Sequence, residues 1–546
     1  MKNSHLNRRD FFALGAGLAA TGCTGAGKSN GGADEQPSVE KFELEERTVA
    51  ELGGSIRSGQ YTCASVTEKY LERIAAIDRP LGLNAVLELN PDARAIAAQL
   101  DNELAAGQDR GPLHGIPVLI KDNIATADRM TTTAGSLALE GSIAPEDSRV
   151  AAGLKAAGAV ILGKANLSEW ANYRGWRSTS GWSARGGQTA NPYALDRNPT
   201  GSSSGSAAGV SANLCALAVG TETDGSIVGP SSVCGVVGIK PTVGLVGRSG
   251  IIPISSTQDT AGPMARTVAD AAALLNAIAG ADANDKATDA GRDHFGQDYT
   301  RYLDSGALTG KKIGIARKYF GISYLIDPIM EQSVQVLKDA GAEIVDPVEM
   351  PKKGMWPHEG TVMQYEFKHG LKAYFDWLGD SAPVKSLQDV IDFNTANADR
   401  ELVFYGQQIM EEAVQKGPLT DKEYTDALAE CRRLSRTEGI DAMMDEHGLD
   451  AIFSPTSGPA GMTDPLAGDH LLGGNSGFPA VAGYPHVTLP FGWLFGLPMG
   501  VSFWGRAWSE PLLIGMAFAF EQITSARKPP RLLPTVEFPA SQPQTI

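Results

Sequence analysis

The spacing of apolar residues predicts a chain of alternating helices and strands. Across residues 66–79, Tyr70, Ile74 and Ile77 recur on one face of a helix. Residues 116–120 form an unbroken apolar run of strand length, and a further helix–strand pair follows in SRVAAGLKAAGAVILGKAN. Such alternation is typical of an α/β protein, in which helices pack on a central sheet.

The pattern changes in the second half of the chain. Residues 198–241 are rich in Gly and Ser, and we interpret them as loop, helix, a strand at 215–219, loop, helix and strand. Residues 300–450 carry longer amphipathic patterns and more charge, which predicts a helical insertion within a domain spanning 41–525. The Pro-rich tail, 526–546, is predicted to be poorly ordered.

The first 23 residues have the pattern of an export signal. Arg8 and Arg9 resemble a twin-arginine signal, and residues 11–20 form an apolar stretch too short to span a bilayer as a helix. The residues before Cys23 resemble a lipoprotein cleavage box. We therefore expect an exported protein, periplasmic or anchored to the membrane through a lipid on Cys23, with residues 24–40 as a linker.

One string in this region, GCTGAGKS at residues 22–29, fits the phosphate-loop pattern of nucleotide-binding proteins. That loop needs a strand before it and a helix after it, so that backbone N–H groups point at the phosphates. Here an export signal precedes the string, and the polar, Gly-rich NGGADEQPS follows it. This context argues against ATP binding, and no cofactor is predicted.

Composition narrows the classes of function. The 546 residues carry a net charge of −16 with no long basic run, which argues against a nucleic-acid partner. The eight histidines form neither HxH nor HExxH, so a metal site has little support. A protein exported by a twin-arginine route folds before export, so we expect most of the cysteines beyond Cys23 to be free thiols: Cys63, Cys215, Cys234 and Cys431.

The Gly/Ser-rich segment contains competing candidates for a nucleophile. The string GSSSG at 201–205 satisfies G-x-S-x-G, which would make Ser203 the nucleophile of an α/β-hydrolase-type esterase. That motif requires a strand before the turn, and the preceding NPYALDRNPT is not one. Three histidines could complete such a triad: His447, His470 and His486. A purely structural role in loops and helix starts is the alternative.

Ser226, in TDGS, is the other candidate nucleophile. It falls at a strand-to-helix turn, where consecutive N–H groups can hold an oxyanion. No histidine lies near it in sequence, so its base would be a lysine whose pKa burial has lowered. Lys121, directly after the apolar run, is the first candidate base, and Lys164 in GKANLSEW is the second. The structural alternative for Lys121 is a lysine whose stem packs at a strand end while its amine reaches solvent.

Three strings in order, LHGIPVLIKDNI, GSSSGSAAGV and GTETDGSI, resemble the amidase signature family, and the resemblance covers roughly residues 45–520. The two working serines of that family lie 24 positions apart, as Ser202 and Ser226 do here. The resemblance implies a mixed central β-sheet flanked by helices, and amide hydrolysis without cofactor or metal. It also implies that Lys121 is the base, Ser202 the bridging serine after a cis peptide bond, and Ser226 the nucleophile that forms an acyl-enzyme.

The resemblance further implies an oxyanion hole made by the backbone N–H groups of four consecutive residues: Thr223, Asp224, Gly225 and Ser226. Three positions depart from the family pattern. Asp224 replaces a Gly, Val228 stands where Arg is frequent, and Glu222 stands where Asp is frequent, so the usual acid–arginine pair is missing. We expect these departures to affect the positioning of the oxyanion loop more than the three catalytic residues.

Within the family, GTETDGSIV, GWSARGGQTANPY, GIIPISSTQDTAGPMARTVADA and QYEFKHG resemble bacterial peptide amidases, which convert C-terminal peptide amides to free acids and ammonia. Trp176, where the family lines its acyl pocket, is a candidate substrate contact. Three alternatives remain: a broad aliphatic or aryl amidase, the cytoplasmic amidotransferase A subunit that acts on misacylated tRNA, and an inactive exported binding lipoprotein. The expected partner is thus a small amide substrate, and the sequence does not fix the oligomeric state.

Overall fold

Thirteen strands are present in the part of the chain that the structure describes. The structure is a computed structural model that describes residues 41–351 and 354–538, so the predicted signal, Cys23, the GCTGAGKS string and the linker lie outside the described residues. The strands are β1 (Val86–Leu89), β2 (Pro117–Lys121), β3 (Val160–Ala165), β4 (Trp182–Ser183), β5 (Gly187–Gln188), β6 (Leu217–Glu222), β7 (Val237–Lys240), β8 (Thr260–Ala265), β9 (Lys312–Ile315), β10 (Glu343–Val345), β11 (Ala451–Pro455), β12 (His486–Leu494) and β13 (Leu497–Trp504).

Most of these strands form one mixed sheet. Within the described ranges its order is β1-β3-β2-β6-β8-β7-β12-β13-β11-β9-β10, while β4 and β5 form a separate short pair. Strand β2 runs parallel to β3 and β6, whereas β6 pairs antiparallel with β8 and β12 with β13. The predicted fold class, a mixed sheet flanked by helices, is confirmed.

Helices flank this sheet. They are α1 (Val49–Arg57), α2 (Cys63–Ile77), α3 (Ala93–Ala105), α4 (Arg149–Ala156), α5 (Ser204–Ser211), α6 (Val228–Val233), α7 (Val268–Ile278), α8 (Asp327–Asp339), α9 (Trp356–Leu378), α10 (Leu387–Ala396), α11 (Ala398–Glu401), α12 (Gln408–Val414), α13 (Lys422–Arg432), a π-helical segment (Arg433–Ile440), α14 (Asp441–His447), α15 (Gly477–Ala482) and α16 (Glu510–Thr524). Short 3-10 segments are Leu137–Leu139, Glu169–Asn172, Lys286–His294, Tyr299–Tyr302, Arg317–Tyr319 and Gly379–Ser381.

Capping chemistry explains where α2, the helix predicted at 66–79, begins. The Thr62 hydroxyl accepts a hydrogen bond from the Ser65 N–H at 3.0 Å, and the Ser65 hydroxyl accepts one from the Thr62 N–H at 2.9 Å. This reciprocal pair satisfies two N–H groups that a helix start leaves open. The apolar face that the pattern predicted, including Tyr70 and Ile74, is buried.

Strands β2 and β6 bring the candidate site together. All residues of both strands are buried. Strands covered on both faces can be apolar throughout, which explains the unbroken run at 116–120. Lys121 is the last residue of β2, and Glu222 is the last residue of β6. Because β2 and β6 are parallel neighbours, the segments that follow them emerge at the same edge of the sheet.

Residues 300–450, predicted as a helical insertion, divide into two parts. The first part, β9, α8 and β10, extends the main sheet, because β9 pairs parallel with both β10 and β11. The prediction was therefore too wide: the short apolar runs KIGI and EIV are weak strand signals beside the amphipathic helix between them. The helical part runs from α9 to α14.

The tail was predicted to be poorly ordered from about Arg527, and the described part corrects this. The Arg527 guanidinium forms an ion pair with Glu46 at 2.7 Å and donates to the Gly235 carbonyl. The Leu195 N–H donates to the Leu533 carbonyl. Polar anchoring of this kind holds the chain despite its proline content, and residues 539–546 lie outside the described residues.

Two further observations concern membranes and thiols. Among the described residues, the helices are not long and apolar enough for any of them to cross a membrane. The four cysteines of the described chain are buried and free, which confirms the prediction of free thiols: Cys63, Cys215, Cys234 and Cys431.

Candidate active site

Lys121 is fully buried at the C-terminal end of β2. Its Nζ atom lies 2.7 Å from the Ser202 hydroxyl, 2.9 Å from the Thr221 hydroxyl and 3.1 Å from the Thr221 carbonyl. Burial disfavours the charged amine and lowers the pKa of Lys121 to about 7, although the carboxyls of Asp259 and Glu222 oppose this. A neutral amine, which a general base requires, is therefore available near neutral pH.

Ser202 lies in the loop that leads into α5, and it is fully buried. The Gly201–Ser202 peptide bond is cis, as predicted. Glycine is required at position 201 because a Cβ atom there would lie 2.2 Å from the Ser168 hydroxyl. The predicted contact between the Lys121 amine and the Ser202 hydroxyl is thus present.

Ser226 lies in the turn between β6 and α6, where it lines a cavity. The Ser203 N–H donates to the Ser226 carbonyl at 3.1 Å, which holds the segments that carry Ser202 and Ser226 side by side. Gly225 has a φ of +79°, a conformation that favours glycine and that turns the chain just before Ser226. The three residues predicted from the motifs therefore converge where β2 and β6 end.

Unpaired backbone donors lie in the same turn. In the described chain, no carbonyl or side chain accepts a hydrogen bond from the N–H groups of Asp224, Gly225 or Ser226. These residues and Thr223 line the cavity that Ser226 faces. Preorganised N–H groups at a cavity wall can stabilise a developing oxyanion, and each such donor is worth about 3 kcal/mol in a transition state.

Glu222 shows how the missing acid–arginine pair is replaced. Its Oε2 atom accepts hydrogen bonds from the N–H groups of Ile227 and Val228 at 2.7 and 3.0 Å. Burial raises the pKa of Glu222, and the charge of buried Lys240 at the end of β7 opposes that rise. Sequence analysis missed Lys240. A usable signal existed, because it ends an apolar run in VVGIKP much as Lys121 does in IPVLIK.

Two further residues that sequence analysis missed support Lys121. The Thr221 hydroxyl accepts a hydrogen bond from Asn123 Nδ2 at 3.0 Å in addition to its contact with the lysine. Both residues are buried. They stand inside the quoted strings LIKDNI and GTETDGSI, so the motif itself was the signal.

The cavity in front of Ser226 has a volume of about 360 Å³. Its mouth carries exposed apolar side chains, namely those of Trp176, Trp356 and Leu471. Trp176, the predicted substrate contact, is 44% exposed, and its indole N–H donates to Glu412 at 3.1 Å. The tryptophan is therefore held at the entrance, where a bound substrate would pass it.

The rival candidates have no such arrangement. The Ser203 hydroxyl is fully buried, donates to the Thr221 carbonyl and accepts from the Thr221 N–H. It therefore supports the loop, and the alternative esterase that uses Ser203 is not supported. Lys164 is also buried, but its amine contacts the Ile124 carbonyl and the Thr132 hydroxyl rather than a serine.

Comparison with known proteins identifies the family of this chain. The family model described as Amidase matches residues 65–514. A probable amidase from Arabidopsis thaliana is 41% identical over 502 residues, which cover 90% of this chain and 93% of that protein.

Two solved structures are similar along nearly the same length. The native peptide amidase from Stenotrophomonas maltophilia is 52% identical with a TM-score of 0.85, covering 90% of this chain and 99% of that chain. A structure described as the peptide amidase in complex with the competitive inhibitor chymostatin is 52% identical with a TM-score of 0.87, covering 90% and 100%. This chain therefore belongs to the amidase family and is a hydrolase of amide bonds.

Proposed function

We propose that the enzyme hydrolyses the C-terminal amides of peptides to free acids and ammonia through Lys121, Ser202 and Ser226. The observation that carries the proposal is the 2.7 Å contact between the Lys121 amine and the Ser202 hydroxyl in a fully buried setting. A lysine whose amine reached solvent, the structural alternative, would not have this contact.

The surroundings of Lys121 orient its lone pair. A neutral amine has two N–H donors, and two oxygen acceptors of Thr221 lie within 3.1 Å of Nζ. With both donors directed at Thr221, the lone pair is left to face the Ser202 hydroxyl. Ser202 then passes its proton to Lys121 while it accepts the proton of Ser226.

The chemical steps follow from this proton path. The deprotonated Ser226 Oγ attacks the amide carbonyl, and the carbonyl oxygen becomes an oxyanion held by the N–H groups of residues 223–226. The C–N bond breaks as the proton returns from Lys121 through Ser202 to the leaving nitrogen, so that ammonia departs. Water then attacks the ester on Ser226 and releases the acid. Residues of this chain supply every group in the path.

Two observations support a peptide amide as the substrate. The similar protein from Stenotrophomonas maltophilia is a peptide amidase, and a structure of such an enzyme holds the inhibitor chymostatin. The cavity mouth here also presents exposed apolar side chains, Trp176 and Leu471 among them. An amide-bearing residue would enter towards Ser226 while the preceding residues lie along this apolar rim, with Trp176 contacting the peptide.

A substrate panel tests the proposal. Purified enzyme is given short peptide amides, the matching peptide acids and small aliphatic and aryl amides, and released ammonia and product mass are measured. We expect turnover of the peptide amides and none by the variant Ser226→Ala. Comparable turnover of all amides would instead indicate a broad amidase. Absence of turnover with every amide would contradict the proposal.

We also propose that the enzyme is exported and carries a lipid on Cys23. The support is the sequence alone: Arg8 and Arg9, the apolar stretch at residues 11–20 and the cleavage-box pattern before Cys23. Intact mass of the mature N-terminus in a bacterial host tests this. A chain that begins at a lipidated Cys23 is expected, and an unprocessed N-terminus would contradict it.

A further inference from the structure

A pair of carboxyl groups lies directly beside the oxyanion loop. Glu359, in the first turn of α9, is 3% exposed, and its carboxyl group lies within hydrogen-bonding reach of that of Asp224. Two carboxylates repel each other, so such a bond requires one proton between them. Asp224 Oδ1 is buried and no N–H or hydroxyl of the described chain donates to it, although the Ser476 hydroxyl acts on the same carboxyl group.

Glu359 also reaches the loop from a second side. Its Oε1 atom accepts a hydrogen bond from Gln258 Nε2 at 3.0 Å, and the same Gln258 amide donates to the Thr223 carbonyl at 3.3 Å. The Thr223 hydroxyl donates to Asp259 at 2.6 Å. Glu359 therefore touches the side chain of Asp224 and, through one amide, the carbonyl of Thr223.

We propose that Glu359, through its contacts with Asp224 and Gln258, positions the oxyanion loop and adds to the support that Glu222 gives in place of the acid–arginine pair. The two carboxyls are positioning residues, because they act through the N–H groups of residues 224–226 rather than on the substrate. The proposal rests on the proposed function of those N–H groups. It also gives the substitution of Asp224 for glycine a role, since a glycine would offer Glu359 no partner.

The charge state of the pair is consistent with this role. Burial and the neighbouring Asp224 raise the pKa of Glu359 well above its usual range, and burial also raises the pKa of Asp224, so the pair holds a shared proton. The other titratable groups whose charges act on the pair lie on surrounding elements: Glu222, Lys240, Tyr173, Tyr319 and Cys431. The two tyrosines and the thiol have raised pKa values and are neutral around pH 7, whereas the pKa of Lys240 falls to about 8.

Two substitutions of Glu359 by side chains of similar size separate its role in positioning the loop from its role in packing. In Glu359→Gln the amide N–H still donates to the Asp224 carboxylate, so kcat should stay within a few-fold of the wild-type value. In Glu359→Met position 359 offers no donor, so the Asp224 carboxylate keeps only the Ser476 hydroxyl beside it and the loop shifts. Since misplacement by about 1 Å costs about 100-fold, kcat should fall by about that factor while KM changes little.

A matched control lies on the same helix. Glu366 is buried too, but its carboxyl accepts from Ser255, Thr257 and Tyr424 and does not contact residues 223–226. Gln and Met at position 366 should give similar kcat values once the fraction of folded protein is measured by circular dichroism. A Met-specific loss at 359 and not at 366 separates loop positioning from loss of a buried carboxyl in general.

The pH profile gives the second readout. Raising the pH removes the shared proton from the wild-type pair, and two charges then repel within the loop, whereas Glu359→Gln has no such proton. The ratio of kcat for Glu359→Gln to wild type should therefore rise with pH, and Lys240 titrates in both proteins. A pH-independent ratio, a Met variant as active as wild type, or a Gln variant as impaired as Met would overturn the proposal. Amide turnover by wild type and its loss in Ser226→Ala would leave the proposed function standing in each case.

Discussion

Two buried lysines on neighbouring strands differ in a way that explains the site. Lys121 ends β2, and Lys164 lies in the parallel strand β3, paired in register with Ile120. Both are fully buried, and burial lowers their pKa values to about 7 and about 8. Burial and a lowered pKa therefore do not tell the two apart.

Their partners do. Lys121 contacts the hydroxyl of Ser202, and the segment that carries Ser202 is hydrogen-bonded to the segment that carries Ser226. Lys164 instead contacts a backbone carbonyl and the Thr132 hydroxyl. The strongest charge opposing the lowered pKa of Lys164 is that of Asp122, which favours its protonated form. A buried lysine can thus act as a base when its amine contacts a hydroxyl in a proton path that leads to a cavity. Otherwise its amine only forms hydrogen bonds that stabilise the interior of the fold.

The largest expected effect comes from removing each amine in turn. Lys121→Met should lower kcat/KM by about 10²–10⁴-fold, which is the usual contribution of a general base. Lys164→Met should leave kcat per folded molecule within about tenfold, because its amine is outside the proton path. Ammonia release from a peptide amide, with folded fraction from circular dichroism, measures both. Equal losses in the two variants would break the comparison.

The neighbouring serines, Ser202 and Ser203, extend this comparison. Ser202→Ala removes the hydroxyl between base and nucleophile, so kcat should fall by about 100-fold or more. Ser203→Ala removes hydrogen bonds to Thr221 only, and its effect should be mainly on thermal stability, by about 1 kcal/mol. Turnover assays and thermal melts of the two variants distinguish these outcomes. Greater loss of turnover in Ser203→Ala would favour the esterase-type alternative.

The pH profile sharpens the assignment of the base. Because only the neutral amine accepts a proton, kcat/KM should rise about tenfold per pH unit well below pH 7 and level off above the pKa of Lys121, about 7. Lys164→Met should keep the same acidic limb. Initial rates between pH 5 and 9 in both proteins test this, and a flat wild-type profile would argue against lysine as the base.

The last expected effect is on stability rather than on turnover. The pKa of Lys164 falls from 10.5 in the unfolded chain to about 8 in the fold, so between these values the unfolded chain binds more protons. Stability from this group therefore rises with pH across that window, by about 3 kcal/mol at most, at about 1.4 kcal/mol per unit. Denaturant unfolding of wild type and Lys164→Met should show their difference changing between pH 8 and 10 in this direction. A constant difference would contradict it.

The sequence predicted some parts of the site and missed others for physical reasons. Lys121, Ser202 and Ser226 could be named because they stand in short strings whose order and spacing resemble those of the amidase signature family. Glu359 could not be named, because it lies 135 positions beyond Asp224 in an ordinary amphipathic helix, and only the packing of α9 beside the loop brings them together. Nor do short strands such as β9 and β10 carry a pattern of their own; the pairing of β9 with both β10 and β11 defines them.

By itself, the sequence determined the alternation of helices and strands, the fully apolar strand before Lys121 and the motif residues, because periodicity and turn chemistry act over a few neighbouring positions. The tertiary structure decided which buried lysine faces a serine hydroxyl, which cation acts on Glu222 and which carboxyl lies beside Asp224. Those choices depend on strand order and on side chains from distant segments meeting in a space that excludes water, where an unpaired charge or donor is costly.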